Sequence, residues 1–338
     1  MRKLLYALAA FTLLFTSWAQ AAPELRSDHP ERYTVVKGDT LWDISGRFLN
    51  NPWYWPEIWH VNPQVANPHL IYPGDRLALV YIDGEPRVTK VASSDVVKLS
   101  PKVRSEPIDT PIPAIPLDAI SSFLTDTRIV TPEELNGAPY VLEGEDGRII
   151  TGAGDRVYAR GQKPADKVGI FRRTKEFVDP ETGEFLGLEA RSVGAGNVTA
   201  ENGDVLTLRL TKSNQEIRIG DRLLTNINRP ISTSFVPSAP EQDVEGVMIA
   251  VDGGVTQIGQ FDVVAINRGE REGLEAGNVL AVLKSGNMVR DPLTGETIEL
   301  PSERAGLMMV FRTDEKMSYG LMLQATRALA VGDKVTNP

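Results

Sequence analysis

Two near-identical heptapeptides in the C-terminal half constrain this chain more than any other feature. Val178-Asp179-Pro180-Glu181-Thr182-Gly183-Glu184 recurs as Arg290-Asp291-Pro292-Leu293-Thr294-Gly295-Glu296, and Gly220-Asp221 recurs as Gly332-Asp333, both at an offset of 112 residues. An offset held over roughly 40 residues implies two copies of one module rather than a single large domain. Apolar alternation precedes each heptapeptide, with Val168 and Ile170 in the first copy and Leu280 and Val282 in the second. That period is a strand signal. Asp and Thr cap tight turns through their side chains and Gly supplies positive φ. Each heptapeptide therefore reads as a hairpin tip, with Gly183 and Gly295 at positive φ. Runs such as Val205–Leu210 and Phe261–Ile266, broken by Gly-containing turns, fit small barrels or sandwiches. The expected modules span 141–230 and 245–338.

Composition removes several kinds of chemistry. The chain has no cysteine, which excludes disulfides, thiolate metal sites and thiol nucleophiles. Its three histidines (His29, His60 and His69) all precede residue 70, so the tail cannot assemble a Ser-His-Asp triad or a histidine-ligated metal. No cofactor and no metal site is expected. A net charge of -9 opposes nucleic-acid binding, which needs a basic stripe for phosphates.

Arg2 and Lys3 precede an apolar stretch from Leu4 to Phe15, and Ala19-Gln20-Ala21 fits the small-x-small rule for signal cleavage. At about a dozen residues the stretch falls short of the ~20 that span a bilayer. The expectation is a signal peptide at 1–21, a mature start at Ala22, export to the periplasm and no membrane span after cleavage. Loss of Arg2 and Lys3 leaves 34 basic residues against 45 acidic, a charge near -11.

Beyond Trp18, every tryptophan (Trp42, Trp53, Trp55 and Trp59) falls in one short segment. Tyr33–Val36 reads as a strand, and Thr40 with Asp43 as a capping box for a helix burying Leu41, Ile44 and Phe48. A second helix is expected from about Pro56 to Asn62. A turn at Tyr72-Pro73-Gly74-Asp75 then leads into a strand from Arg76 to Val80. Trp42 and Trp59, on the expected helices, read as packing residues. Trp53, Tyr54 and Trp55 are open to contact with either a ligand or the rest of the chain. His60 and His69 have no third ligand nearby, and Asp39 serves equally as a turn residue or a ligand contact.

The runs YTVVKGDTLWDISGRF, PEIWHVNP and LIYPGDRLALV, within 33–80, resemble a LysM domain, the peptidoglycan- and chitin-binding module. The resemblance implies a βααβ fold and a shallow groove for N-acetylglucosamine-containing glycans. By position it puts Gly38, Asp39, Thr40 and Leu41 on one side of the groove, and Asn67, Leu70, Ile71 and Tyr72 on the other. The aromatic tract Asn51–Pro56 is longer than the usual inter-helix connection.

From Asp83, six prolines (Pro86, Pro101, Pro107, Pro111, Pro113 and Pro116) mark a semi-rigid spacer. A short amphipathic helix is expected at Leu117–Leu124, and a second one starts at Thr131-Pro132-Glu133-Glu134. The whole is an α+β chain: a LysM domain at 30–82, a Pro-rich linker with short helices at 83–140, then the two β modules. The expected function is non-catalytic peptidoglycan binding, with the tail as scaffold or as the surface for a periplasmic protein partner. The alternative is a cell-wall glycosidase working through tail carboxylates.

Overall fold

The computed structural model describes residues 23–59, 71–91, 112–117, 119–120, 123, 127–225, 235–252, 257–286 and 288–338. The signal segment, Asn67, Leu70, His60, His69 and most of the Pro-rich stretch lie outside the described residues. The chain divides into two compact units, 1–111 and 112–338.

The N-terminal unit has a three-stranded antiparallel sheet in the order β1 (Arg32–Thr34), β2 (Arg76–Ile82), β3 (Glu85–Val91). Between β1 and β2 lies helix α1 (Leu41–Phe48), then a 3-10 turn at Pro52–Tyr54 running into the short helix α2 (Trp55–Ile58). α1 starts where expected. The Thr40 hydroxyl accepts from the Asp43 amide at 3.1 Å and donates to its carboxylate at 2.7 Å. Leu41, Trp42, Ile44 and Phe48 face the core.

Two expectations need correction here. The second helix begins at Trp55 with Pro56 in its first turn, as expected, but a 3-10 turn at Pro52–Tyr54 runs into it and it is shorter than expected. It stops at Ile58, where Trp59 turns extended. Glu85–Val91, assigned from sequence to the spacer, is instead a full strand. Asp83 and Gly84 both have positive φ, the requirement of a two-residue hairpin turn. Pro86 is tolerated because β3 is an edge strand.

In the C-terminal unit, Leu117, Ala119, Ile120 and Phe123 are helical, with Ile120 and Phe123 buried. After β4 (Thr127–Val130), helix α3 (Pro132–Gly137) is capped by Thr131, whose hydroxyl accepts from the Glu134 amide at 3.1 Å. Two β assemblies follow. The first contains β5 (Tyr140–Gly144), β6 (Ile150–Thr151), β7 (Arg156–Arg160), β8 (Lys167–Val178), β9 (Phe185–Asn202), β10 (Val205–Ser213), β11 (Ile217–Arg218) and β12 (Arg222–Thr225). Its pairings run β5-β12-β8-β9-β10-β7 and back to β5, a closed ring with β4 flanking β9 and β6 paired with β11.

The second assembly contains β13 (Glu245–Val251), β14 (Val263–Ile266), β15 (Val279–Lys284), β16 (Met288–Arg290), β17 (Thr297–Glu299), β18 (Glu303–Thr313), β19 (Ser318–Ala325) and β20 (Lys334–Thr336). Here β13-β14-β19-β18-β15-β20 close a barrel, and β16 pairs with β17 as a separate two-stranded hairpin. Alternation sets both cores. Val168, Ile170, Leu206, Leu208 and Leu210 point into the first, and Leu280, Val282, Met308 and Val310 into the second.

Both heptapeptides form the same turn. Asp179 Oδ1 accepts from the amides of Glu181 (2.8 Å) and Thr182 (3.1 Å), and Asp291 Oδ1 from those of Leu293 (2.7 Å) and Thr294 (3.3 Å). The Gly183 amide donates to the Asp179 carbonyl and the Gly295 amide to that of Asp291, each at 2.9 Å. φ is 72° at Gly183 and 76° at Gly295. The Gly-Asp pairs match as well. The Arg218 and Ala330 amides each donate to the following Asp221 or Asp333 carboxylate at 2.8 Å. Those carboxylates are held from the neighbouring strand by Arg172 at 2.8 Å and Lys284 at 3.1 Å, again 112 residues apart.

Candidate functional site

The two signature loops of the N-terminal unit lie side by side. The Val35 amide donates to the Asp75 carbonyl at 2.9 Å, and the Gly74 amide to the Val35 carbonyl at 2.7 Å. Each loop is the same tight turn. In the first, the Asp39 carboxylate accepts from the Val36 amide at 2.8 Å; in the second, Asp75 accepts from the Tyr72 amide at 3.0 Å. Gly38 (φ 98°) and Gly74 (φ 95°) are required by backbone conformation, since a Cβ at either would touch nothing within 4 Å.

The sequence-derived site residues divide by what they expose. Gly38 is exposed and Tyr72 half-buried. The amides of Lys37 and Gly38 make no hydrogen bond among the described residues, so they are available to an N-acetyl carbonyl. Asp39 is buried, and its carboxylate also accepts from the Tyr33 hydroxyl at 2.9 Å. Asp155, Asp221 and Asp333 make the same contact to the amide three residues before them, which marks Asp39 as a turn residue. Thr40 is occupied by the α1 cap.

Leu41 and Ile71 are each only 2% exposed. Their side chains form the floor under the loops and present no apolar face to a ligand, contrary to the expected direct contact. Helical spacing and loop position cannot separate a groove wall from the core beneath it. A polar residue at Ile71 would be buried unpaired and would destabilise the domain.

Tyr33 has no place in the sequence-derived site but braces its first loop. Arg47 lies over its ring, 4.5 Å from the centroid. Burial and the neighbouring Asp39 push its phenol above the ordinary tyrosine range. In the aromatic tract, Trp55 is buried with Trp42. Trp53 and Tyr54 are half-buried and stack on each other with centroids 3.8 Å apart. A stacked, partly open aromatic pair is a surface on which a sugar ring can lie.

Among the described residues of the C-terminal unit, the buried carboxylates are all engaged. Asp179 accepts from Asn267 Nδ2 at 2.8 Å, bridging the two assemblies. Burial alone would raise its pKa, but the Glu181 and Thr182 amides, Asn267 and Arg268 hold it below the ordinary aspartate value. Glu189 accepts from Thr174 Oγ1 at 2.6 Å and Tyr319 Oη at 3.2 Å. Burial, then Glu189, pushes the Tyr319 phenol well above its usual range. A pocket of about 180 Å³ lies between the first turn and the second barrel, touching Glu181, Arg268 and Lys334. It is smaller than the roughly 300–1,000 Å³ of a small-molecule site.

Residues 33–79 match the LysM domain family. A protein of Bacillus subtilis strain 168, described as uncharacterized protein YqbP, is 40% identical over 60 residues, covering 15% of this chain and 27% of that protein. The chain thus spans about a quarter of the length of the curated relative it matches. No helix among the described residues is long and apolar enough to cross a membrane.

Proposed function

We propose that this is a non-catalytic, periplasmic peptidoglycan-binding protein. Its LysM domain holds N-acetylglucosamine-containing glycan, and its two tail barrels, copies of one module, act as scaffold or partner-binding region. The observation that carries the glycan reading is the pairing of the two signature loops through Val35, Gly74 and Asp75. In the first of these loops the exposed Lys37 and Gly38 keep amides with no hydrogen bond among the described residues. Backbone amides suit N-acetyl carbonyls, and the Trp53–Tyr54 stack adds apolar surface for a sugar face. Export is supported by the basic n-region, the short apolar stretch and Ala19-Gln20-Ala21, with cleavage near Ala21. The non-catalytic reading rests on the tail carboxylates, since Asp179, Glu189, Asp221 and Asp333 each serve a turn or an ion pair.

Calorimetric titration with N-acetylglucosamine oligomers tests the groove. Gly38→Val would strain the loop by ~1–2 kcal/mol and turn its amides aside, lowering affinity about tenfold. Circular dichroism should show the fold retained. Unchanged affinity in a folded Gly38→Val protein would place the glycan elsewhere.

A further inference from the structure

The two Asp-Pro-x-Thr-Gly-Glu turns share their internal bonds but not their surroundings. The first is seated on the neighbouring barrel. Asn267 and Arg268 approach Asp179, Arg271 clamps both Glu184 oxygens at 2.9 Å, and Lys316 reaches the same carboxylate at 2.8 Å. These four residues come from the β14–β15 connection and the β18–β19 turn, one rim of the second barrel. The second turn has no such seat among the described residues. Leu293 at its tip is 95% exposed, and Met288, Val289, Ile298 and Leu300 on the same hairpin are exposed as well. Val289 and Ile298 are cross-strand partners, so the apolar surface is continuous across both strands. Glu296, the counterpart of Glu184, has no ion pair among the described residues. An exposed apolar prong of this kind marks an interaction site.

We propose that this hairpin docks a second copy of the same chain, head to tail, on the first barrel's equivalent rim. The pairing order identifies that rim. β7, β8, β9 and β10 occupy the places of β14, β15, β18 and β19, so the seat corresponds to the β7–β8 connection and the β9–β10 turn. Arg160 and Lys163 stand there, paired at the surface with Asp204 and Asp166. Exposed pairs of this type are held weakly, which leaves both cations free to turn to Glu296. The contact inside one chain thus supplies the template for the contact between chains. It is heterologous: prong and seat are different surfaces, so association continues beyond a dimer unless the rotation closes a ring.

Sedimentation velocity on the full mature chain, over a concentration series, tests this with two variants. Leu293→Asp removes the prong, and Arg160→Glu with Lys163→Glu removes the seat. Wild type should show mass rising with concentration past the dimer. Each variant alone should associate about tenfold more weakly or not at all, the scale of one leucine's burial. An equimolar mixture of the two should recover a 1:1 dimer and stop there, because it retains one working prong and one working seat. A monomeric wild type, unchanged association of Leu293→Asp, or no dimer in the mixture would overturn the proposal. In the last two cases the hairpin belongs to a different partner or has none. The experiment uses no glycan, so its result is independent of the groove reading.

Discussion

In the first barrel the Asp-Pro-Glu-Thr-Gly-Glu turn is tied to the second barrel through Asp179 and Glu184, whereas the Asp-Pro-Leu-Thr-Gly-Glu turn of the second stands in solvent. The internal hydrogen bonds agree within about 0.2 Å. Local chemistry therefore fixes the turn without help from its neighbours. The surroundings decide what the turn does: Asp179 is both a turn cap and an inter-barrel ligand, while Asp291 is a turn cap alone.

Replacing the two aspartates should separate these roles most clearly. Asp179→Ala would remove the cap and leave buried Asn267 without its acceptor, destabilising the tail by ~2–4 kcal/mol. Asp291→Ala should cost well under half as much, measured by urea unfolding. Equal losses would mean that the inter-barrel contact contributes nothing beyond the turn.

The glycines should behave alike. Gly183→Val and Gly295→Val each put a β-branched residue at positive φ, at ~1–2 kcal/mol, and neither Cβ would meet a close neighbour. Matching drops in thermal stability, with glycan binding intact, sharpen the comparison. A large difference between them would show that the turns are not equivalent.

The smallest effect is in acid. Arg271 and Lys316 lower the Glu184 pKa from its ordinary 4.5 to about 2. A depressed carboxylate stabilises the fold above its unfolded pKa, and that contribution fades as pH falls from about 4.5 towards 2. The side chain is 35% exposed, so screening keeps the effect modest. Thermal melts from pH 5 to pH 2 should fall less steeply for Glu184→Gln than for the parent. Identical slopes would remove this ion cluster from the account.

Much of this was legible in the sequence because it is local. Thr40 with Asp43, Thr131 with Glu134, and Asp179 with Gly183 each act within one turn of chain, and alternation at Val168 and Ile170 gives the barrel interior directly. What escaped reading depends on distance or on competing signals. Prolines drew Glu85–Val91 into the spacer although Asp83-Gly84 is a hairpin signal. Leu41 and Ile71 sit at groove positions but lie beneath the surface, which only the packed domain reveals. Asn267, Arg271 and Lys316 belong to no motif and meet the first turn from about 90 to 130 residues away.

The central claim, a glycan anchor on a tail without catalysis, is tested most directly by incubating the purified mature protein with peptidoglycan sacculi. The protein should pellet with the sacculi, and the supernatant should contain no soluble muropeptides. Failure to pellet would contradict the anchor, and muropeptide release would show that the tail carboxylates act as a glycosidase.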